Sequence, residues 1–156
     1  MIHGGNATVY VYGMTLCRTQ CFSLMRMMAS YWPTPQAVKN APVVAEGMNA
    51  MPKAVFSRTL QNAAWRNTTL VKGDLVTEVR KMKNGSGADL VILGSGSIVS
   101  QLAQARLIAE YQLVVSPVVL GQGRTLFEGV KEKLNLTLTK TRAFKNGNVV
   151  LWYRPA

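Results

Sequence analysis

The sequence predicts an α/β protein with a mainly parallel, twisted sheet that is flanked by helices and ends in an antiparallel hairpin. Strand-like and helical segments alternate along much of the chain, which is typical of parallel sheets joined by crossover helices. Asp89 to Leu93 forms a run that is apolar on both faces, as in parallel strands covered by helices. Asn146 and Gly147 give a strong hairpin signal before the last apolar run, so the final strand is expected to return antiparallel.

In the first half of the chain, prolines set several of the expected boundaries. Pro33 and Pro35 stop the helix that precedes them, whereas Pro42 is acceptable at the start of a new helix. The predicted elements are a strand over Ala7–Tyr12, a helix over Leu24–Tyr31, two short helical pieces between Gln36 and Met51, and strands over Lys53–Ser57 and Thr68–Val71.

The second half contains most of the strands expected in the sheet. Asp74 is placed to cap a helix with helical apolar spacing, and Asn84-Gly85 suits its end. Pro117 indicates an edge, a bulge or a bend in its strand. The predicted elements are a helix from Asp74 to Asn84, a strand over Asp89–Leu93, a helix after Ser97, and strands over Tyr111–Val119, Leu134–Leu138 and Val149–Tyr153.

Length and composition favour one domain over residues 1–156, because 156 residues with 48% hydrophobic content can bury a core. No run approaches the roughly 18 consecutive apolar residues of a membrane helix, and residues 1–13 lack the features of a secretory signal. Cys17 and Cys21 have no partner pair for a disulfide framework and too few companions for a metal site. We therefore expect a cytoplasmic protein with no membrane contact and no metal.

The net charge of +11 raises the question of nucleic acid as a partner. The excess is spread along the chain, with seven Lys or Arg against one acid in residues 1–73 and eleven against six in residues 74–156. No aromatic residues interleave with the cluster of Arg80, Lys81 and Lys83. The pattern therefore favours a polyanionic cofactor or small-molecule substrate over nucleic acid.

Gly94, Ser95, Gly96 and Ser97 lie between a predicted strand and a predicted helix. Backbone N–H groups at such a helix start attract phosphate, and glycines permit its close approach. The pattern matches neither the six-residue dinucleotide fingerprint nor a phosphate-binding loop with its lysine. A tight strand-to-helix turn with serine caps is therefore the alternative interpretation.

Several segments in order resemble the dihydrofolate-reductase-like family that includes the C-terminal reductase domain of riboflavin biosynthesis. The matching segments are Met28–Pro33, Lys53–Leu60, Trp65–Thr68, Asp89–Ser97, Glu110–Tyr111, Ser116–Phe127 and Gly147–Tyr153. The resemblance implies that the turn at Gly94, Ser95, Gly96 and Ser97, with Ile98 after it, holds the pyrophosphate of NADPH. It also implies that Ser57 and Arg58 lie against the adenosine end of the cofactor. An arginine fork suits a 2′-phosphate, although Arg58 could equally be a solvated surface residue.

The first 25 residues depart from the family. The family's Gly-Arg-X-Thr-Tyr motif should fall at Cys21 to Met25, and no member of it is present there. The usual opening strand, which supplies part of the substrate wall, is expected to be missing or replaced. Ala7–Tyr12 could fill that position in its own chain or in a partner. We assign no catalytic residue, and His3 is not a candidate.

The resemblance implies an NADPH-dependent reductase that transfers a hydride to a pterin-like or ribosylamino-pyrimidine-like substrate. A non-catalytic remnant that binds nucleotide or self-associates is the alternative. A homodimer is expected, because related domains pair about a two-fold axis through an apolar face of their last strands. Here that face comprises Leu134, Leu136, Leu138, Val149, Leu151 and Tyr153. These side chains could instead face the protein's own helices.

Overall fold

The computed structural model describes residues 7–11, 21–85, 89–93, 95–123 and 125–156, and for residues 7–11 and 21–25 it describes the backbone alone. The described elements are β1 (Ala7–Val11), α1 (Cys21–Tyr31), α2 (Pro35–Asn40), α3 (Pro42–Ala50), β2 (Lys53–Phe56), β3 (Thr68–Val71), α4 (Leu75–Asn84), β4 (Leu90–Leu93), α5 (Gly96–Gln104), β5 (Glu110–Val115), β6 (Leu136–Ala143) and β7 (Val149–Pro155). Two compact units are distinguished, a larger one of Met1–Thr19 with Val79–Ala156 and a smaller one of Gln20–Glu78. A single domain over residues 1–156 stays a prediction.

The larger unit is built on a five-stranded sheet in the order β4-β1-β5-β7-β6. β1 runs parallel to β4 and β5, whereas β7 runs antiparallel to β5 and β6. Gly147, with a φ of +84°, lies in the turn that joins β6 to β7. The predicted fold class, a mainly parallel sheet with an antiparallel C-terminal hairpin, is confirmed.

β1 lies between β4 and β5 in this sheet. Its register places Ala7 opposite Leu90 and Thr8 opposite Glu110. The sequence left open whether Ala7–Tyr12 joins its own sheet or that of a partner. The structure places this strand, as Ala7–Val11, inside the sheet of its own chain.

The bounds of two strands, β5 and β6, differ most from those that the sequence predicts. β5 ends at Val115 rather than Val119, because Pro117 cannot donate to a sheet ladder. Val119 is accordingly 97% exposed. β6 starts later and runs longer than the predicted Leu134–Leu138, and its register shifts between Leu138 and Lys140. Such a bulge adds one residue that alternation alone does not reveal.

The smaller unit contains three helices and the parallel pair β2–β3. Thr34 caps α2, because its Oγ1 accepts the Ala37 N–H at 3.2 Å. Pro35 and Pro42 occupy the first positions of α2 and α3, where the missing N–H costs nothing. Pro42 therefore starts a helix, as the sequence predicts, whereas Pro35, which was predicted only to stop the preceding helix, also starts the next one.

Lys53 closes the C-terminal end of α3. Its Nζ donates to the carbonyl oxygens of Met48 at 2.9 Å and Met51 at 2.8 Å, and lies 4.5 Å from the centroid of the Trp65 ring. Burial, and secondarily the nearby Arg66 guanidinium, lowers the pKa of Lys53. This lysine is held by carbonyl groups of the fold, so we assign it a structural role.

Each unit has its own buried side chains. In the larger unit they are Val79, Val99, Leu102, Ala103, Ile108, Tyr111 and Val150, and in the smaller unit Ala37, Ala45, Met48 and Trp65. Three of these residues, Val99, Leu102 and Ala103, belong to α5. The helix that follows the Gly-Ser turn is therefore anchored in the core of its unit.

Candidate cofactor-binding site

The start of α5 presents backbone donors that the helix itself does not use. Ser95 is the N-cap residue, and its side chain makes no capping hydrogen bond. The Val99 N–H donates to the Ser95 carbonyl at 2.8 Å. The N–H groups of Gly96, Ser97 and Ile98 therefore have no acceptor within the helix. Together with the helix dipole, such groups form a site for an anion such as a phosphate.

Gly96 lies at the first position of this helix. A Cβ added there would come 3.8 Å from the Leu126 carbonyl oxygen, an ordinary van der Waals distance. The described surroundings therefore do not require a glycine at this position. The helix also carries no acidic residue in its first turn. Both features are compatible with a phosphate that approaches the backbone closely.

The neighbouring segment holds the first turn of α5 in place. The buried Ser100 donates through its Oγ to the Leu126 carbonyl at 3.3 Å. Phe127 makes an edge-to-face contact with Tyr111, with ring centroids 5.9 Å apart. Tyr111 is 2% exposed, and burial raises the pKa of its phenol. These contacts hold α5 against the core of its unit one turn after the backbone donors.

Ser57 and Arg58 follow directly after β2. The Ser57 N–H donates to the Val71 carbonyl at 3.2 Å, which extends the pairing of β2 with β3 by one residue. The Ser57 Oγ accepts the Leu60 N–H at 3.1 Å. Arg58 is exposed and makes no hydrogen bond or ion pair with any residue that the structure describes. Ser57 therefore shapes the loop, whereas the Arg58 guanidinium is available to a ligand.

Lys72 is the first residue after β3, and Ser57 is the first residue after β2. The register pairs Phe56 with Val71, so Ser57 and Lys72 come next on the two strands. The Nζ of Lys72 lies 3.4 Å from the Oε1 of Gln61. Lys72 was not predicted as a site residue, because only the parallel pairing of the two strands brings it beside the segment of Arg58.

The predicted site residues fall into two groups. Ser95, Gly96, Ser97 and Ile98 lie together at the start of α5 in the larger unit, and Ser57 and Arg58 lie together after β2 in the smaller unit. Gly94 lies outside the described residues. Ser100 and Leu126 were missed, because their hydrogen bond joins residues 26 positions apart and no local pattern reports it.

Metal ligation and membrane insertion find no support in the described part of the chain. There, no group of three or more His, Cys, Asp or Glu residues could hold a metal ion. Within the same part, no helix is long and apolar enough to cross a membrane. His3 and Cys17 lie outside the described residues.

Comparison with known families shows to which family the chain belongs. Residues 14–150 match the model of the RibD C-terminal domain, so the chain belongs to that family. The match includes residues 14–25, part of the segment in which the sequence lacks the family's Gly-Arg-X-Thr-Tyr motif. The family assignment therefore confirms the resemblance on which the cofactor site was predicted.

Individual relatives agree with this family. The uncharacterized protein YyaP of Bacillus subtilis is 37% identical over 101 residues, which are 65% of this chain and 53% of that protein. The chain thus spans about half the length of this relative. A putative riboflavin biosynthesis protein from Shewanella sp. PV-4 superposes with a TM-score of 0.67 at 18% identity, over 97% of this chain and 75% of that one.

A second solved structure covers less of the fold. It is the diaminohydroxyphosphoribosylaminopyrimidine deaminase/5-amino-6-(5-phosphoribosylamino)uracil reductase of Thermotoga maritima, with a TM-score of 0.50 at 14% identity. The match covers 66% of this chain and 30% of that one. At such identities the two solved structures show a shared fold.

Proposed function

We propose that this chain is an NADPH-dependent reductase that transfers a hydride to a pterin-like or ribosylamino-pyrimidine-like small molecule. The observation that carries the proposal is the start of α5, where the N–H groups of residues 96–98 have no acceptor within the helix and Gly96 leaves room for a phosphate. Membership of the RibD C-terminal domain family supports the reductase class.

The residues present fit the cofactor by their chemistry. The backbone of Gly96, Ser97 and Ile98 would hold the pyrophosphate, with Gly94 and Ser95 completing the turn. Arg58 would meet a phosphate at the adenosine end, because its guanidinium is unpaired among the described residues and can donate two parallel hydrogen bonds. The Ser57 O–H remains available to donate, while its oxygen accepts the Leu60 N–H.

NADPH, when bound, supplies the hydride, and the contribution of this chain is to hold and orient it. Hydride transfer requires that donor and acceptor carbons be held at near-attack distance. A helix start fixed by the Ser100–Leu126 hydrogen bond supplies an anchor of that kind for the phosphates. We assign no catalytic residue.

Binding and oxidation of NADPH test the two parts of the proposal separately. The purified chain is titrated with NADPH, and the change in cofactor fluorescence gives the dissociation constant. Consumption of NADPH is then followed by absorbance with pterins and with ribosylamino-pyrimidines. Saturable binding together with oxidation by one of these compounds is the expected result.

The other outcomes count against the proposal. Binding without oxidation by any compound of either class would favour the non-catalytic nucleotide-binding remnant. Absence of binding would overturn the cofactor site as a whole.

We also propose that the protein is located in the cytoplasm. The proposed activity is a cofactor-dependent reduction of a small molecule, and the two cysteines of the chain do not form a disulfide framework.

We further propose that the protein is a homodimer that pairs through the sheet face of β6 and β7. This face carries Leu138, which is 47% exposed, beside the half-buried Val149, Leu151 and Tyr153. Pairing about a two-fold axis would bury the same apolar patch twice. Light scattering at micromolar concentration is expected to give the mass of a dimer, and a monomer would refute the pairing.

A further inference from the structure

The terminal hairpin of β6 and β7 is rich in cations. Residues 136–156, which contain both strands, include no acidic residue and four cations, Lys140, Arg142, Lys145 and Arg154. The register pairs Lys140 with Trp152 and Arg142 with Val150, and residues two apart in a strand point to the same face. Lys140, Arg142 and Trp152 therefore share one face of the sheet. β6 lies at the edge of the sheet, and both of its cations are exposed.

Aromatic rings hold these two cations. The Nζ of Lys140 lies 5.1 Å from the centroid of the Trp152 ring, and the Cζ of Arg142 lies 4.5 Å from the centroid of the Phe144 ring. A cation at such a distance is attracted to the ring face. The contact restricts both long side chains, so they lose less conformational entropy on binding a ligand than free surface cations do. We call Lys140, Arg142, Phe144 and Trp152 the basic face.

The N–H donors of both cations are unused in the part of the chain that the structure describes. There, neither Lys140 nor Arg142 makes a hydrogen bond or an ion pair. Glu110 is the only acidic residue of β5, β6 and β7, and its Oε2 accepts the Nε–H of Arg154 at 3.1 Å. The basic face thus presents positive charge that no carboxylate of these strands neutralises, which fits an anionic ligand.

The basic face is separate from the surfaces proposed for the dinucleotide and the dimer. Successive residues of a strand point to opposite faces, so Trp152 points away from the side of Leu151 and Tyr153, which belong to the apolar dimer patch. β4, which leads to the start of α5, lies at the opposite edge of the sheet from β6. A ligand of the basic face is therefore additional to the cofactor.

We propose that the basic face binds single-stranded nucleic acid, with phosphates on Lys140 and Arg142 and a base stacked on the outer side of the Arg142 guanidinium. Single strands offer both phosphates and unstacked bases. A guanidinium that lies over a ring on one side can stack on a base through its other side. An acidic peptide supplies charge without planar bases. A membrane surface requires projecting apolar side chains, whereas Trp152 is half-buried and Phe144 lies against Arg142.

Fluorescence anisotropy of labelled oligonucleotides tests the proposal in the full chain. Oligo(U), oligo(dT) and a DNA duplex, each about 12 nucleotides long, are titrated with the wild type at several salt concentrations. Both single strands should bind with dissociation constants of about 1–100 µM at physiological salt. The duplex should bind more weakly, because its base faces are not open to Arg142. Tighter binding of oligo(U) than of oligo(dT) would identify RNA as the ligand, and the reverse would identify DNA.

Variants separate charge from stacking. Arg142→Gln should weaken both single strands about tenfold and lower the slope of log K against log salt by about 0.7, the value of one phosphate contact. Arg142→Lys should restore the slope and only part of the affinity. Phe144→Leu should weaken binding about fivefold at an unchanged slope, because it removes a ring and no charge. Thermal melting checks that each variant is folded.

Lys39→Gln is the matched charge control, because Lys39 is exposed and belongs to the other unit. Absence of single-strand binding, or an equal loss in Lys39→Gln and Arg142→Gln, would overturn the site. Equal affinity for the duplex, or for polyglutamate as a competitor, would exclude base stacking. Tighter binding to vesicles of phosphatidylcholine with phosphatidylserine than to either single strand would assign the face to a membrane instead. A wild type that binds single strands but not NADPH would refute the proposed function alone.

Discussion

The two candidate anchors for a dinucleotide differ in what they offer a phosphate. At the start of α5 the donors are backbone N–H groups, held by a helix whose Val99 and Leu102 are buried. After β2 the donor is an exposed side chain, Arg58, on a flexible stem. Binding at the backbone site depends on shape, whereas binding by Arg58 depends on charge. Rigid donors lose little entropy on binding, whereas long side chains must be ordered.

This difference predicts distinct responses to mutation. A side chain placed at the α5 turn should block any dinucleotide, because the pyrophosphate is common to all of them. Loss of the Arg58 guanidinium should mainly affect ligands that carry the additional phosphate. The following predictions run from the largest expected effect to the smallest.

Gly96→Val should reduce the affinity for both NADPH and NADH by at least about a hundredfold, because branched carbons would occupy the space that a phosphate needs. The fold should persist, since among the described residues a Cβ at this position meets only the Leu126 carbonyl, at 3.8 Å. Fluorescence titration measures the affinity, and circular dichroism with thermal melting measures the fold.

Gly47→Val is the matched control for this change. Gly47 lies within α3, and an added Cβ would have no described atom within 4 Å outside the neighbouring helix backbone. This variant should bind both dinucleotides as the wild type does. A folded Gly96→Val protein that still binds NADPH with wild-type affinity would show that the α5 turn is not part of the cofactor site.

Arg58→Ala should weaken NADPH about tenfold and change NADH much less. The physical reason is that a guanidinium in the segment after β2 would meet the phosphate that NADH lacks. Arg58→Lys should recover only part of the affinity, because lysine cannot donate through a planar fork. The measurement is the ratio of the NADPH and NADH dissociation constants. All titrations use one salt concentration, because salt screens exposed charges. Equal losses for the two dinucleotides would exclude a phosphate-specific role.

Tyr111→Phe should have the smallest effect, and only at alkaline pH. Burial raises the pKa of the Tyr111 phenol above its ordinary value, so the unfolded chain ionises first as the pH passes about 10. The stability that this group contributes is full below that pH and is lost above it. Phenylalanine cannot ionise and keeps the edge-to-face contact with Phe127, so the variant should lose less stability than the wild type.

Urea unfolding at about pH 8 and about pH 10.5 measures this difference. Tyr31→Phe is the control, because it removes an exposed phenol in the other unit. The NADPH affinity of Tyr111→Phe at neutral pH should equal that of the wild type. An identical alkaline loss in Tyr111→Phe and the wild type would show that burial of this phenol does not govern the stability of the scaffold behind the α5 turn.

Local chemistry made much of the fold predictable. Asp74 caps α4 through the Thr77 N–H, Pro42 starts α3, and Gly147 turns the last hairpin with a positive φ. Each of these signals acts within a few residues, so the sequence displays it directly. The early end of β5 at Val115 is also local, since Pro117 marked the interruption.

The missed features are non-local. The hydrogen bond from Ser100 to Leu126 and the placement of Lys72 beside the segment of Arg58 depend on which elements become neighbours. The bulge between Leu138 and Lys140 depends on the pairing of β6 with β7. Sequence periodicity reports which face of a strand is apolar and not which strand lies next to it. The strand-to-helix turn before α5 was therefore predictable from the sequence, whereas the residues that other elements bring beside a predicted segment were not.

The central position of β1 bears on how the protein folds during synthesis. Ala7 pairs with Leu90 and Thr8 with Glu110, so β1 is synthesised long before the strands that it pairs with. Chains dominated by such distant pairings fold slowly. A nascent chain at this stage also exposes a β-prone segment with two unpaired edges. We therefore expect refolding to be limited by insertion of β1 between β4 and β5, and synthesis in the cell to benefit from a chaperone that shields this segment until β5 emerges.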